Sequence, residues 1–235
     1  TMASLFWFWY FPEDNSIVEK NGLTYYHEKE FGLTVVLFTQ PIDFYLQNPV
    51  TQTIAEVSTD QKYRAAINGS YFTPEYTHAG LLYKNDTTTV PLAKLDRQVS
   101  AIVSMSSTSM EFIPVSEFKS ELLASSTLAF QTGPLVITKN TIASASIDAS
   151  LNGTGAYART LLGKTESGQT FFVTVTARKN LTEIAAKLLS LKLFANDTIS
   201  VINLDGGPST ALYTLEMPSL NFRETKYLPI IIGVR

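Results

Sequence analysis

Six short runs of branched and aromatic residues, each closed by Gly, Pro, Asn or Ser, limit the fold of this chain most. They are "LTVVLFT" at 33–39, "VSAIVSM" at 99–105, "PLVIT" at 134–138, "TFFVTVT" at 170–176, "TISVINL" at 198–204 and "LPIIIGV" at 228–234. Such side chains suit a pleated, buried surface, and the punctuation turns the chain after each one, so a sheet protein is expected. Helical spacing is rarer. In "NLTEIAAKLLSLKLF", Ile184, Ala185, Leu188, Leu189 and Leu191 form a stripe, and Asn180 with Glu183 has capping-box spacing. "TQTIAEVSTD" predicts a shorter helix capped by Thr51 or Thr53, with Ile54 and Val57 inward. "SEFKSELLAS" predicts another, capped by Ser116, with Phe118 and Leu122 one turn apart. No internal repeat or low-complexity linker divides the 235 residues, of which 45% are hydrophobic. The expectation is α+β: a mixed β-sheet core with a few packed helices, in a single compact domain over 1–235.

A net charge of -3 and the absence of any Lys or Arg run argue against nucleic acid and an anionic membrane surface as partners. The chain has no cysteine, which excludes disulfides, thiolate catalysis and cysteine-based zinc sites. With only His27 and His78, a multi-histidine metal site is not expected, and no metal or cofactor is assigned. The opening "TMASLFWFWYFP" has too short an apolar run to cross a bilayer. It reads as a core or edge strand with Trp7 and Trp9 on one face; a carbohydrate platform and the stub of a removed anchor are the alternatives. Five Asn-X-Ser/Thr sequons, at Asn68, Asn85, Asn152, Asn180 and Asn196, are what a Ser/Thr-rich chain makes by chance.

Three segments join polar residues to turns at the ends of apolar runs. "VINLDGGPSTALY" leaves an apolar run at Asp205 and turns on Gly206 and Gly207. Asp-Gly suits a hairpin, but Pro208 followed by Ser209 and Thr210 equally suits a helix start, whose free N–H groups and dipole would favour an anion. The segment lacks the lysine of a P-loop and the third glycine of a dinucleotide fingerprint. "RAAINGSYF" brings a short strand to Asn68 and Gly69. It reads either as a hairpin turn or as an amide placed to hold a sugar hydroxyl or phosphate oxygen, with Tyr71 or Phe72 stacking on a ring. "GAYARTLLGKTESGQTFFVTV" reads as two strands joined near Glu166 to Gly168, with Arg159 in the first. A strand arginine is often solvated, yet one this close to Leu161 and Leu162 calls for an anionic partner such as phosphate.

In this order the segments resemble the phosphodiester glycosidase family. "NGSYF" at 68–72 is similar to its early Asn-Gly-Gly-Phe-Phe motif, "QTGPLVI" at 131–137 to its Gly-Pro motif, and "ARTLLG" at 158–163 to its Arg-Thr-Ala-Ile-Gly motif. The helix leading to "NLDGGPS" at 203–209, and the final apolar strand, match as well, so the likeness spans about residues 65–234. Ser70 stands where the family usually has glycine, and Pro208 where it has a third glycine; the cysteines of the animal lysosomal member are absent, which points to a bacterial or phage-like relative.

The resemblance implies a hydrolase that cleaves between a sugar's anomeric carbon and phosphate in a small or polymeric glycosyl phosphodiester. N-acetylglucosaminyl phosphodiester is one example, and such substrates imply export. It implies Asp205 as nucleophile or base, Arg159 as phosphate clamp and Asn68 as the group orienting sugar or phosphate. Substrate contacts would come from Gly69, Tyr71, His78, Thr160, Gly206, Gly207, Ser209 and Thr210, with His78 a candidate proton donor. Glu75 is a second-carboxylate candidate on sequence proximity alone. A metal-assisted phosphodiesterase and a non-catalytic carbohydrate-binding module of the cell envelope are the alternatives.

Overall fold

The computed structural model describes residues 14–93, 97–223, 225 and 227–235; the segment with Trp7 and Trp9 lies outside the described residues. The longest apolar runs meet in an eight-stranded sheet, in the order Ile17–Lys20, Leu23–Glu28, Leu33–Phe38, Thr170–Lys179, Tyr157–Thr165, Ile199–Asn203, Leu135–Thr138 and Thr141–Ile142. Its central runs are continuous in hydrophobicity because both faces are covered. Val36, Phe38, Leu162, Phe172 and Ile202 face a core shared with two smaller sheets. Their neighbours Val35, Leu37, Leu161, Phe171 and Val201 face the helices. Buried apolar area on this scale, at roughly 25 cal/mol per Å², is what holds the layers together.

The second sheet is ordered Thr87–Val90, Leu82–Lys84, Leu128–Thr132, Ala101–Met105 and Met110–Pro114. The third is ordered Phe222–Arg223, Ala211–Thr214, Ala65–Asn68, Ile230–Val234 and Ile42–Leu46. The class is α+β, and every strand pairing among the described residues is antiparallel.

Helix Leu181–Ser190 starts at the expected capping box, with Asn180 and Glu183 each bonding the other's backbone, and buries Leu181, Ile184, Ala185 and Leu188. Helix Ile54–Gln61 uses Thr53 as its cap, closed by Glu56. The helix expected over "SEFKSELLAS" does not form. Val115–Glu117 and Ser120–Ser125 are separate 3-10 turns with no side-chain cap; Val115, Phe118 and Leu123 pack partly buried on Leu81, Tyr83, Ile102 and Ala129 while Leu122 is exposed, so the Phe118–Leu122 face of a longer helix is not the one used.

Three passages between sheets converge at one point. The chain leaves the third sheet at Asn68 for the second, leaves the second at Thr132 for the large sheet, and leaves the large sheet at Asn203 for the third. Hydrogen bonds knit the three together: Gly133 N–H donates to the Asn203 carbonyl at 3.1 Å, and Asp205 N–H to the Gly69 carbonyl at 3.2 Å. The Ser70 hydroxyl donates to the Gln131 carbonyl at 2.7 Å. Ser70 is therefore buried and ties two passages together.

Candidate active site

The strand before the Asp-Gly-Gly segment belongs to the large sheet and Ala211–Thr214 to the third, so the two flanks do not pair and the segment is no hairpin. Nor does a helix begin there. Gly207–Ser209 is a single 3-10 turn with Pro208 inside it, and the chain then enters a strand. The Ser209 and Thr210 amides, expected to face phosphate, close that turn on the Gly206 and Gly207 carbonyls at 3.2 and 3.0 Å. One short turn also lacks the aligned peptides of a helix dipole. Gly207 has φ +58°, a conformation glycine adopts without strain, and a side chain there would meet open space.

Asp205 lies two residues beyond Asn203, the last paired residue of its strand. Its carboxylate accepts the Gly206 N–H at 2.8 Å. Burial pushes its pKa up to about 6, against the opposing pull of the Ser209 hydroxyl and the Gly206 N–H. Such a carboxyl changes charge in the range where bases and nucleophiles work.

Asn68 is buried and its amide is spent within the protein. Its Nδ2 donates to the Asp205 carbonyl at 2.8 Å and to the Gly69 carbonyl at 3.3 Å. Its Oδ1 accepts from the Thr160 hydroxyl at 2.6 Å and from the Ala211 N–H at 3.0 Å. Direct contact with sugar or phosphate, expected of Asn68 and Thr160, gives way to a bracing role, because their polar groups already join three passages. Gly69 is likewise needed by the packing: a Cβ there would lie 2.2 Å from Ile230 Cγ2.

Arg159 is buried, not solvated. The register pairs Leu161 with Asn203, and Leu204 N–H donates to the Thr160 carbonyl at 2.9 Å, which sets Arg159 beside Asp205. A Cβ on Gly206 would lie 3.6 Å from Arg159 Cδ and 2.8 Å from the Ala158 carbonyl. Among the described residues no ion pair joins Arg159 to Asp205 or to any other acid. The Arg159 Nη2 instead donates to the carbonyls of Asn152 and Gly155 at 2.6 and 2.7 Å, and its guanidinium lies 5.1 Å from the Tyr157 ring centroid. Nε is buried without an acceptor. The guanidinium's Nε–Nη2 edge is thus half used, and burial lowers its pKa from the ordinary value. The bidentate clamp expected of Arg159 requires the 152–155 turn to release Nη2.

Tyr71 donates to the Gly133 carbonyl at 3.1 Å and accepts from Asn203 Nδ2 at 2.8 Å, so its proton is committed and a substrate-directed hydroxyl is corrected to a structural one. Phe72 stacks on Tyr76 at 5.9 Å. The position of His78 stands against the proton-donor role expected of it. The side chain is buried, with Nδ1 3.0 Å from the Gly80 carbonyl and its ring edge-on to Phe44 and Phe130, and desolvation pushes its pKa down to about 4. Glu75 is exposed. Asn203, Gly133 and Tyr157 were not singled out as site residues; a buried asparagine ending an otherwise apolar strand was the available signal. Among the described residues no group of three or more His, Cys, Asp or Glu is placed to hold a metal.

A cavity of about 550 Å³ lies at the other end of the large sheet, lined by Lys164, Thr165, Ser200 and the turn at 106–109. It contains none of the residues above. Its lysines are already paired, Lys164 with Glu111 at 2.8 Å and Lys139 with Glu166 at 4.0 Å, so the passage junction is the better chemical candidate.

Half-buried Asp205 and buried Arg159 thus stand at neighbouring strand ends of the junction. The chain belongs to the phosphodiester glycosidase family, whose model matches residues 61–235. Among solved structures it is similar to the catalytic domain of zebrafish N-acetylglucosamine-1-phosphodiester alpha-N-acetylglucosaminidase, auto-inhibited by its pro-peptide. That match has TM-score 0.64 and 13% identity, and covers 94% of this chain and 81% of that one. A hypothetical protein from Synechocystis matches with TM-score 0.58 and 14% identity over 94% of this chain and 61% of that one. A candidate exported protein of Burkholderia pseudomallei K96243 matches with TM-score 0.51 and 12% identity over 86% and 73%. Among curated proteins, sequence comparison finds no match. No described helix is long and apolar enough to cross a membrane.

Proposed function

We propose that the protein hydrolyses glycosyl phosphodiesters, with N-acetylglucosaminyl phosphodiester as the first substrate to try. The observation that supports this reading is Asp205: a half-buried, desolvated carboxyl pushed up to about 6 at the strand end opposite Arg159, with no ion pair to neutralise it among the described residues. Water adds its oxygen to the anomeric carbon, the bond from that carbon to the phosphate oxygen breaks, and the electron pair leaves with the phosphomonoester. Asp205 acts as the base that takes the water's proton or as the nucleophile that water later displaces. A phosphomonoester is a good leaving group, so strong acid assistance matters less than in ordinary glycoside hydrolysis, and one carboxylate suffices.

Arg159 stabilises charge growing on the phosphate, with the open side of Gly207 giving it room. Export to the envelope or beyond belongs to the same proposal, since polymeric glycosyl phosphodiesters lie there, and fractionation of the native host tests it. The deciding experiment incubates wild type and Asp205→Asn with a panel of glycosyl phosphodiesters, with and without chelator, and identifies products by mass spectrometry. Release of free sugar and phosphomonoester by wild type alone is expected. Equal turnover by the variant removes Asp205 from the chemistry, and loss of turnover on chelation favours a metal-assisted phosphodiesterase.

A further inference from the structure

The two peptide planes that flank the Asp205 Cα are each gripped by an asparagine amide. Ahead of Asp205, the Leu204 carbonyl accepts from Asn203 Nδ2 at 2.6 Å, while the N–H of that plane, belonging to Asp205, donates to the Gly69 carbonyl at 3.2 Å. Behind it, the Asp205 carbonyl accepts from Asn68 Nδ2 at 2.8 Å, while the N–H of that plane, belonging to Gly206, returns to the Asp205 carboxylate at 2.8 Å. Because each peptide unit is planar, fixing both units fixes the backbone torsions between them and the direction in which the side chain leaves.

Asn203 is fully buried and doubly anchored. Its Nδ2 also reaches the Tyr71 hydroxyl at 2.8 Å and the Gly133 carbonyl at 3.1 Å, and its own carbonyl accepts from the Thr132 hydroxyl at 3.0 Å. The amide has one tolerable orientation: reversed, its oxygen would face the Gly133 and Leu204 carbonyls. Among the described residues Asn203 Oδ1 has no hydrogen-bond partner, so the side chain is placed for what its nitrogen holds.

We infer that Asn203 is a positioning residue for the reaction, which together with Asn68 holds the Asp205 carboxylate at the reacting centre by gripping the backbone on either side of it. The inference rests on the reading of Asp205 as the catalytic carboxylate. A misplacement of about 1 Å at such a group costs on the order of a hundredfold in rate, so the grip belongs in kcat and not in substrate affinity. Of the charged or titratable groups described around Asp205, Arg159 and Tyr157 keep their partners in Asn203→Ala, while the Tyr71 hydroxyl loses the Asn203 Nδ2 donor, which Tyr71→Phe controls for.

The test measures kcat, KM, the pH profile of kcat/KM and thermal stability for wild type, Asn203→Ala, Tyr71→Phe and Asp205→Asn with an α-N-acetylglucosaminyl phosphodiester. Asn203→Ala is expected to lower kcat by about 10- to 100-fold with KM changed less than about twofold. Its acidic limb should move to lower pH as the loosened carboxylate gains water. Tyr71→Phe removes one acceptor of the same amide and should move the limb in the same direction by less. Wild-type kcat and an unmoved limb in a merely less stable Asn203→Ala, with Asp205→Asn inactive, overturn the inference and leave the Asp205 reading standing. Turnover retained by Asp205→Asn ends both. If Asn203→Ala does not fold, Tyr71→Phe decides alone, and wild-type kcat and limb position in that variant overturn the inference.

Discussion

At the end of the large sheet that carries Thr165 and Ser200, Lys164 lies 2.8 Å from Glu111, and Asp197 accepts from the Thr198 N–H at 2.8 Å and from the Ser167 hydroxyl. Slight desolvation there acts upward on Asp197, but those hydrogen bonds hold it below the ordinary carboxylate value. At the Asn203 end the pattern reverses. Asp205 sits above its ordinary value, Arg159 has only carbonyl partners for Nη2, and Arg159 Nε has none. One sheet thus satisfies its charges at one end and leaves them under-satisfied at the other, where the surrounding backbone is most heavily braced. Unsatisfied charge is costly, and it persists where neighbouring structure over-determines the geometry and chemistry uses it.

The contrast breaks most sharply at Asp205→Asn. Turnover should fall by about 10³-fold or more, measured on a glycosyl phosphodiester at pH 7. Stability should move the other way. The native carboxyl keeps a proton between its unfolded value of 3.8 and about 6, a window in which the unfolded chain has lost it, so stability falls as pH rises through that window. Removing the charge should therefore stabilise the variant at pH 7 by up to about 3 kcal/mol, and by nothing near pH 3. Urea midpoints at the two pH values check this, and a variant less stable than wild type at pH 7 contradicts the cost assigned to the buried carboxylate.

Arg159→Lys comes next. A point charge cannot replace the planar fork, so kcat/KM should drop by about 10- to 100-fold. Amides in 152–155 should exchange hydrogen faster, because Nη2 holds the Asn152 and Gly155 carbonyls. Faster exchange with unchanged kcat/KM would make Arg159 a loop anchor alone.

Gly206→Ala places a Cβ 2.8 Å from the Ala158 carbonyl, a backbone atom that cannot swing aside. A loss of about 1–3 kcal/mol in stability and a several-fold loss in turnover are expected from chemical denaturation and kinetics. Smallest of all should be Glu111→Gln at the opposite end: its carboxylate is mostly exposed, so the pair with Lys164 is worth less than about 1 kcal/mol, and turnover should not change. A turnover defect there would mean that the two ends of the sheet are coupled.

Much of the fold was legible in the residues. The six apolar runs form strands, the turn near Glu166 to Gly168 joins two strands, the capping box at Asn180 closes and Thr53 caps its helix, because a polar side chain three residues from its partner needs only local geometry. The "SEFKSELLAS" segment misled because its apolar spacing is helical while the residues that pack, Phe118 and Leu123, are not the Phe118 and Leu122 pair that a helical face requires. At the junction, Asp205 and Arg159 stood out as charge set against apolar strands, and they stand at the neighbouring ends of two paired strands.

The amino-acid sequence by itself determined that the six longest apolar runs are strands, where the helices at Ile54 and Leu181 begin and which polar residues stand at the ends of apolar runs, since propensity, periodicity and capping act within a few residues. Only the tertiary structure decided that three passages between sheets cross at one point. It turned Asn68, Thr160 and Tyr71 inward as braces, buried His78 among Phe44 and Phe130, and gave Asn203 its grip on the peptide before Asp205. The physical reason is that a side-chain amide or hydroxyl bonds whichever partner the chain crossings bring within about 3 Å, and those crossings are set by how whole sheets pack.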